Sequence, residues 1–188
     1  MQVAITGSSG FLGKSLSRYL SLNGFDCLNI TRKEISGTIN VKSYEEIPNS
    51  EIIVHLAQNN DRNFVNSQSF DYVEKSLRET KCIANKKCKK LIYISSGSVY
   101  GDQKNSLRKT SEILNPYDNY SKIKLNSEKI ILNNGGMVLR LSNVYGLNMS
   151  RKNVLSKIIN QVINKKIIKL FNGNAIRDFI WIDDVITA

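Results

Sequence analysis

The sequence predicts an α/β protein with a doubly wound parallel sheet of the Rossmann type. Three observations carry that prediction. Short apolar segments of strand character alternate with amphipathic helical segments along the chain. A glycine-rich turn, "TGSSGFLG" (residues 6–13), joins the first strand to the first helix. The segment "EIIVHLA" (residues 51–57) is apolar almost throughout, as suits a strand covered on both faces.

Taken in order, "QVAIT" (residues 2–6) is the first strand. A helix follows from about residue 11 to 23, with Leu12, Leu16, Tyr19 and Leu20 on one face and Gly24 placed to end it. "DCLNIT" (26–31) is a second strand and "GTINV" (37–41) a shorter third. "SYEEI" (43–47) is too short for more than a turn of helix before the strand at 51–57. A long helix then carries Val73, Leu77, Thr80 and Ala84 in register and leads to the strand "LIYIS" (91–95). A helix around Tyr120 ends near "NNGG" (133–136), and "MVLRL" (137–141) is the next strand. An amphipathic helix runs through Val154, Leu155, Ile158, Ile159 and Val162, before short strands "IIKLF" (167–171) and "DFIWI" (178–182).

The composition is that of a soluble globular protein: 41% hydrophobic and 23% charged residues leave enough apolar mass for a core. No apolar run approaches the ~20 residues of a membrane span, and no signal peptide is expected. Cys27, Cys82 and Cys88 are odd in number and form no C-x-x-C pair, which points to a reduced, cytoplasmic setting. His55 is the single histidine, so no metal site is expected. The net charge of +11 peaks in "KKCKK" (86–90), but the remaining lysines are scattered. That distribution fits a generally basic surface or an anionic small ligand better than a nucleic-acid groove.

Gly7, Gly10 and Gly13 stand directly after a strand and open a helix. Glycines there allow a tight turn and let a pyrophosphate approach the backbone, while the helix N-terminus offers free amides and a favourable dipole. In "NPYDNYSKIKLNSEK" (115–129), residues four apart share a helix face. Tyr120 is thus paired with Lys124, whereas Tyr117 meets Ser121 and Lys122 points elsewhere.

The spacing G-x-x-G-x-x-G, the Tyr120/Lys124 pair, and the blocks "VHLA", "SSGSVYG", "LRLSNVYG" and "RDFIWIDDV" run in one order from residue 3 to the last residue. Together they resemble the extended short-chain dehydrogenase/reductase family of NAD(P)-dependent nucleotide-sugar epimerases and dehydratases. The resemblance implies an NAD(P)-binding domain over residues 1–166 and the start of a truncated substrate-binding region over 167–188. It implies an oxidoreductase or isomerase that moves a hydride at a sugar carbinol or 4-ketone of a nucleotide sugar. Ser96 would hydrogen-bond the reacting sugar oxygen, and Tyr120 would pass the proton. Lys124 would favour the Tyr120 phenolate, whose free pKa near 10 is too high for exchange at neutral pH, and would bond the nicotinamide ribose. Cofactor contacts would come from Gly7, Ser9, Gly10, Phe11, Leu12 and Gly13 in the loop. Thr31, Arg32, Asn40, Val41, Leu56, Ala57 and Gln58 would line the adenosine side. Asn143 and Arg177 would meet substrate, Asp183 and Asp184 would be structural, and His55 would pack in the core. Family members also pair as homodimers through the long helix before "LIYIS" and the Tyr120 helix, which predicts a dimer here.

Several positions depart from the family pattern. The second strand ends at Thr31, followed by Arg32 and Lys33, where a carboxylate would mark NAD. An arginine attracts a 2′-phosphate, so NADP is favoured over NAD. Gly97 and Ser98 follow Ser96 where 4,6-dehydratases carry an acidic pair, which disfavours that reaction. The second half of the chain has no histidine or cysteine for C3/C5 epimerisation. A 4-epimerase or a 4-keto-sugar reductase remains, with Arg32 tipping towards the reductase. Relatives usually continue well past this length, so the alternative is a non-catalytic dinucleotide-binding module.

Overall fold

The computed structural model describes residues 1–101, 106–165, 167–170, 173 and 176–188. The chain divides into two compact units, residues 1–141 and 142–188.

In the first unit, six parallel strands form one sheet: β1 (Gln2–Thr6), β2 (Asp26–Thr31), β3 (Ile39–Asn40), β4 (Ile52–His55), β5 (Lys90–Ser96) and β6 (Met137–Leu141). Their order is β3-β2-β1-β4-β5-β6, and every neighbouring pair is parallel. The order reverses between β1 and β4, which opens a crevice at the carboxyl ends of those two strands. Alternation along β1 decides the packing. Ala4 faces a core with Ile30, Ile53, Tyr93, Ile83 and Ile131, while Val3 and Ile5 join Val54 under Leu16 and Leu20. Each such fully buried aliphatic side chain contributes about 1.5–3 kcal/mol.

Among the described residues this unit also holds the helices α1 (Phe11–Leu22), α2 (Arg62–Asn66), α3 (Phe70–Ala84) and α4 (Asn119–Asn133). Helix α1 stops where Gly24 takes a φ of +78°, a conformation that costs a glycine little. The segment before β4 makes only a 3-10 turn at Tyr44–Glu46, as the shortness of "SYEEI" predicts.

The second unit holds a two-stranded parallel sheet, β7 (Asn143–Tyr145) with β8 (Phe179–Trp181), and helices α5 (Val154–Ile163) and α6 (Ile182–Thr187). Tyr145 packs edge-on against Phe179 and Trp181, with ring centroids 6.3 and 5.2 Å away. The predicted strand "IIKLF" is corrected: residues 167–170 carry no strand, and Ile167 is 82% exposed. β-Branched residues form a strand only where a ladder partner is within reach, and among the described residues none pairs with residues 167–170. Phe171 and the boundary position Lys166 lie outside the described residues.

Candidate active site

The glycine loop starts where β1 ends. The backbone amides of Gly7 and Ser8 donate to the Ile30 carbonyl at 3.0 and 3.3 Å, and Gly10 donates to the Gly7 carbonyl at 2.9 Å. Gly7 has a φ of +72°, and a Cβ there would lie 2.9 Å from the Ala57 Cα at the end of β4. A Cβ on Gly13 would lie 2.3 Å from the Gly7 carbonyl oxygen, so α1 can close onto the loop only with glycine at that position. No side chain caps α1 and no acidic residue stands in its first turn. The orphan amides there, at Phe11, Leu12 and Gly13, keep their donors for a ligand. These features fit a dinucleotide pyrophosphate.

On the adenosine side, Thr31 is buried and its hydroxyl accepts from the Lys33 amide at 3.1 Å. Val41 is buried and donates its amide to the Thr31 carbonyl, while Asn40 ends β3 at the surface. Arg32 is engaged: it pairs with Glu79 of α3 at 2.7 Å, and its guanidinium lies 5.3 Å from the centroid of the Tyr44 ring. Beside it a cavity of about 390 Å³ is lined by Ser9, Lys14, Arg18, Asn29, Lys33 and Thr38 among others, with no carboxylate in the lining. The Asn29 side-chain oxygen is buried without a partner. Leu56 is tied to β1 through its amide and the Thr6 hydroxyl. The Gln58 amide turns inward, donating to Thr80 and Ser127 at 3.1 and 2.8 Å and accepting from the Tyr93 hydroxyl.

Ser96 and Tyr120 come together at the carboxyl end of β5. The Ser96 side chain caps the 3-10 turn Gly97–Tyr100 by accepting from the Ser98 amide at 3.2 Å. Burial pushes the Tyr120 pKa up, and the nearby Ser96 hydroxyl and Arg62 charge pull against that rise. Lys124, one helical turn on, is buried at 7% exposure. Its ammonium donates to the Ile94 carbonyl at 3.0 Å and lies 5.1 Å from the Tyr93 ring centroid. Burial lowers its pKa to about 8, with Glu128 opposing the fall. A lysine so placed is still largely protonated at neutral pH and can stabilise a phenolate.

Behind this trio, His55 is locked in the core. It bonds the Thr6 hydroxyl through Nδ1 at 2.8 Å and stacks on Tyr93 with centroids 5.7 Å apart. It fits the packing role expected of it. Asn143 and Arg177 belong to the second unit: Asn143 bonds the Asp178 carbonyl through its backbone and side chain, and Arg177 is exposed. Asp183 opens α6 and accepts from the Trp181 indole at 3.1 Å.

The profile of the NAD dependent epimerase/dehydratase family matches residues 3–188, the same span over which the motifs run. The chain belongs to that family. Among its relatives are a dTDP-D-glucose 4,6-dehydratase of Dictyostelium discoideum and a GDP-6-deoxy-D-talose 4-dehydrogenase of Aggregatibacter actinomycetemcomitans. The first is 27% identical over all of this chain and 54% of its own length; the second is 30% identical over 98% and 67%. The chain therefore spans about half to two thirds of the length of these curated relatives. In three dimensions it is similar to MoeE5 in complex with UDP-glucose and NAD, with a TM-score of 0.85 and 20% identity over 99% of this chain and 69% of that one. It also resembles the UDP-glucose 4-epimerase of Thermotoga maritima, with a TM-score of 0.84 and 21% identity over 100% and 71%. At that identity the likeness speaks for the Rossmann-type fold.

Within this family member, two clusters escaped sequence reasoning. Asp118 caps α4 in a reciprocal capping box with Ser121, and it also accepts from Arg62 and from Asn66 of α2. Burial raises the Asp118 pKa, but the bonds from Ser121, Arg62 and Asn66 outweigh it and hold the carboxyl well below the usual range. The spacing Asp118-x-x-Ser121 is a helix-start signal that could have found the cap. The second cluster joins Glu128 to Arg140, and its signal was a charged residue inside the apolar strand "MVLRL".

Proposed function

We propose that this chain carries the cofactor site and catalytic trio of an NAD(P)-dependent nucleotide-sugar epimerase or reductase. The observation that carries the reading is Tyr120 in the first turn of α4 near Ser96 at the end of β5, with the buried Lys124 one helical turn away. Ser96 holds the reacting sugar oxygen, and Tyr120 exchanges its proton with that oxygen. Lys124, still cationic at neutral pH, favours the phenolate that Tyr120 must pass through. The nicotinamide, when bound, supplies or accepts the hydride. Gly7, Ser9, Gly10, Phe11, Leu12 and Gly13 hold the pyrophosphate, with Thr31, Asn40, Val41, Leu56, Ala57 and Gln58 on the adenosine side. Asn143 and Arg177 serve the nucleotide-sugar substrate, residues 1–166 bind cofactor, and 167–188 begin the substrate-binding region.

NADP is the favoured cofactor. The support is the basic cavity with Lys14, Arg18 and Lys33, together with Arg32 at the end of β2. With an exchangeable NADPH the reaction is a 4-keto-sugar reduction; with retained NAD it is a 4-epimerisation. A 4,6-dehydration is disfavoured although one relative carries that name, because Gly97 and Ser98 offer no acid to the leaving hydroxyl. A homodimer through α3 and α4 fits two adjacent helices that leave Phe70 exposed. Sedimentation at micromolar concentration checks it, and a monomer mass would count against it.

The test is a fluorescence titration of the purified chain with NADPH and NADH, followed by turnover of a panel of nucleotide sugars and 4-keto sugars. Tight NADPH binding and turnover of a 4-keto sugar are the expected results. A folded, cofactor-loaded chain that turns over none of the panel would overturn the catalytic reading.

A further inference from the structure

Glu128 is a carboxylate at 1% exposure, set one turn beyond Lys124 on α4. Residues so spaced have Cβ atoms about 5–6 Å apart. Its two oxygens are fully engaged. Arg140 of β6 reaches it from Nε at 3.1 Å to both oxygens and from a terminal nitrogen at 2.7 Å. Ser95 of β5, next to Ser96, donates its hydroxyl to the same carboxylate. Arg140 in turn bonds the Tyr100 hydroxyl at 3.1 Å and stacks on that ring with its guanidinium carbon 5.0 Å from the centroid. One ion pair therefore ties α4, β5, β6 and the 3-10 turn after Ser96 together.

A pair kept only for stability needs explanation, because apolar residues of similar volume usually serve a buried site as well or better. Its position supplies the explanation. The groups facing Lys124 are Tyr93 on β5, His55 on β4, Tyr72 on α3, Tyr120 on its own helix and Glu128. Of these, Tyr93 and Tyr120 are held neutral by burial, which pushes their pKa values up, and His55 is held neutral with its pKa lowered to about 3 by burial. Glu128 is thus the one anion among them, and Arg140 and Ser95 fix where it points.

We propose that Glu128, clamped by Arg140 and Ser95, is a positioning residue that keeps Lys124 cationic and in register with Tyr120. The inference rests on Lys124 as the group that assists Tyr120, and it predicts that removing Glu128 lowers the fraction of Lys124 that is charged at neutral pH. Glu128→Gln does so twice over: the anion is lost and Arg140 is left as an unpaired cation nearby.

The experiment follows Lys124 itself, by NMR of the side-chain resonances of isotope-labelled lysine as pH is raised, with Lys124→Arg to assign the signal. No substrate or cofactor is added, so the result stands apart from the fate of the enzymatic reading. Glu128→Gln is expected to lower the Lys124 midpoint by about one pH unit or more. The double variant Glu128→Gln/Arg140→Met, which also removes the stranded cation, is expected to recover part of that shift. An unmoved midpoint in a folded Glu128→Gln chain overturns the proposal, and so does a shift that the double variant does not relieve. Should Glu128→Gln lose its dispersed spectrum, Arg140→Lys carries the test. It keeps the charge but gives up the fork that aims Glu128, so the Lys124 midpoint must move; an unmoved midpoint there overturns the proposal too.

Discussion

The side-chain carbonyl of Asn66 accepts a hydrogen bond from the backbone amide of Tyr120, 3.0 Å away. The short helix α2 thereby grips the first turn of α4, and Asp118 completes the grip by accepting from Asn66 at 2.8 Å, from Arg62 and from the Ser121 amide. The direction of the Tyr120 side chain depends on this cap as well as on packing.

Asp118→Ala removes the cap and the carboxylate that Arg62 and Asn66 both bond. A loss of about 1–2 kcal/mol is expected, seen as a lower urea midpoint at unchanged slope. Turnover, where measurable, should fall further than stability requires, because the first turn of α4 frays at Tyr120.

Acid sensitivity follows from His55. Its pKa is lowered from 6.5 to about 3 by burial, with the Lys124 and Arg32 charges adding to the fall. Between those values the unfolded chain binds a proton that the folded chain refuses, so stability rises with pH across the window and is lost as pH falls through it. The contribution amounts to at most one proton, about 1.4 kcal/mol per pH unit. His55→Asn, which keeps a polar group near Thr6, should flatten the pH dependence of urea unfolding in that window. An unchanged slope would show that His55 is not the group responsible.

Gly13 and Gly24 make a matched pair of tests. Gly13→Ala places a methyl 2.3 Å from the Gly7 carbonyl oxygen and must push α1 off the loop, so dinucleotide affinity should drop at least about tenfold. Gly24→Ala meets open space and costs only its positive φ, about 1 kcal/mol, with affinity kept. Fluorescence titration and urea unfolding separate the two effects.

Tyr120→Phe deletes the proton carrier and leaves the loop untouched. Turnover should fall by about 10²–10⁴-fold with cofactor binding retained. Arg32→Asp should do the reverse, weakening NADPH more than NADH and sparing the chemistry. Equal losses for both cofactors would move the preference to the Lys14, Arg18 and Lys33 cavity.

The fold was legible because each β–α step left its own mark. The glycines, the apolar run at 51–57 and the helix face at Val73, Leu77, Thr80 and Ala84 each pointed to the same layered sheet. Ser96, Tyr120 and Lys124 could be named from spacing and resemblance. What stayed hidden was relational. Asn66 lies 54 residues from the amide it accepts from, and nothing in "DRNFVN" announces a grip on a distant helix. Arg32 read as a cation for a phosphate, and nothing near it in the sequence announces its pairing with Glu79, 47 residues on. "IIKLF" read as a strand because β-propensity is local, while a ladder needs a partner.

The place of Arg140 in the sheet also orders how the molecule is made. β6 pairs with β5 only after an intervening stretch that includes all of α4, with Ile92 set against Met137 and Ser95 against Arg140. Such distant pairings close slowly, since loop entropy is lost before the contact repays it. On a ribosome, Glu128 emerges before Arg140 and cannot be buried with a counter-ion until that strand docks. The helix bearing Tyr120 and Lys124 is therefore fixed late, in the same step that completes the sheet.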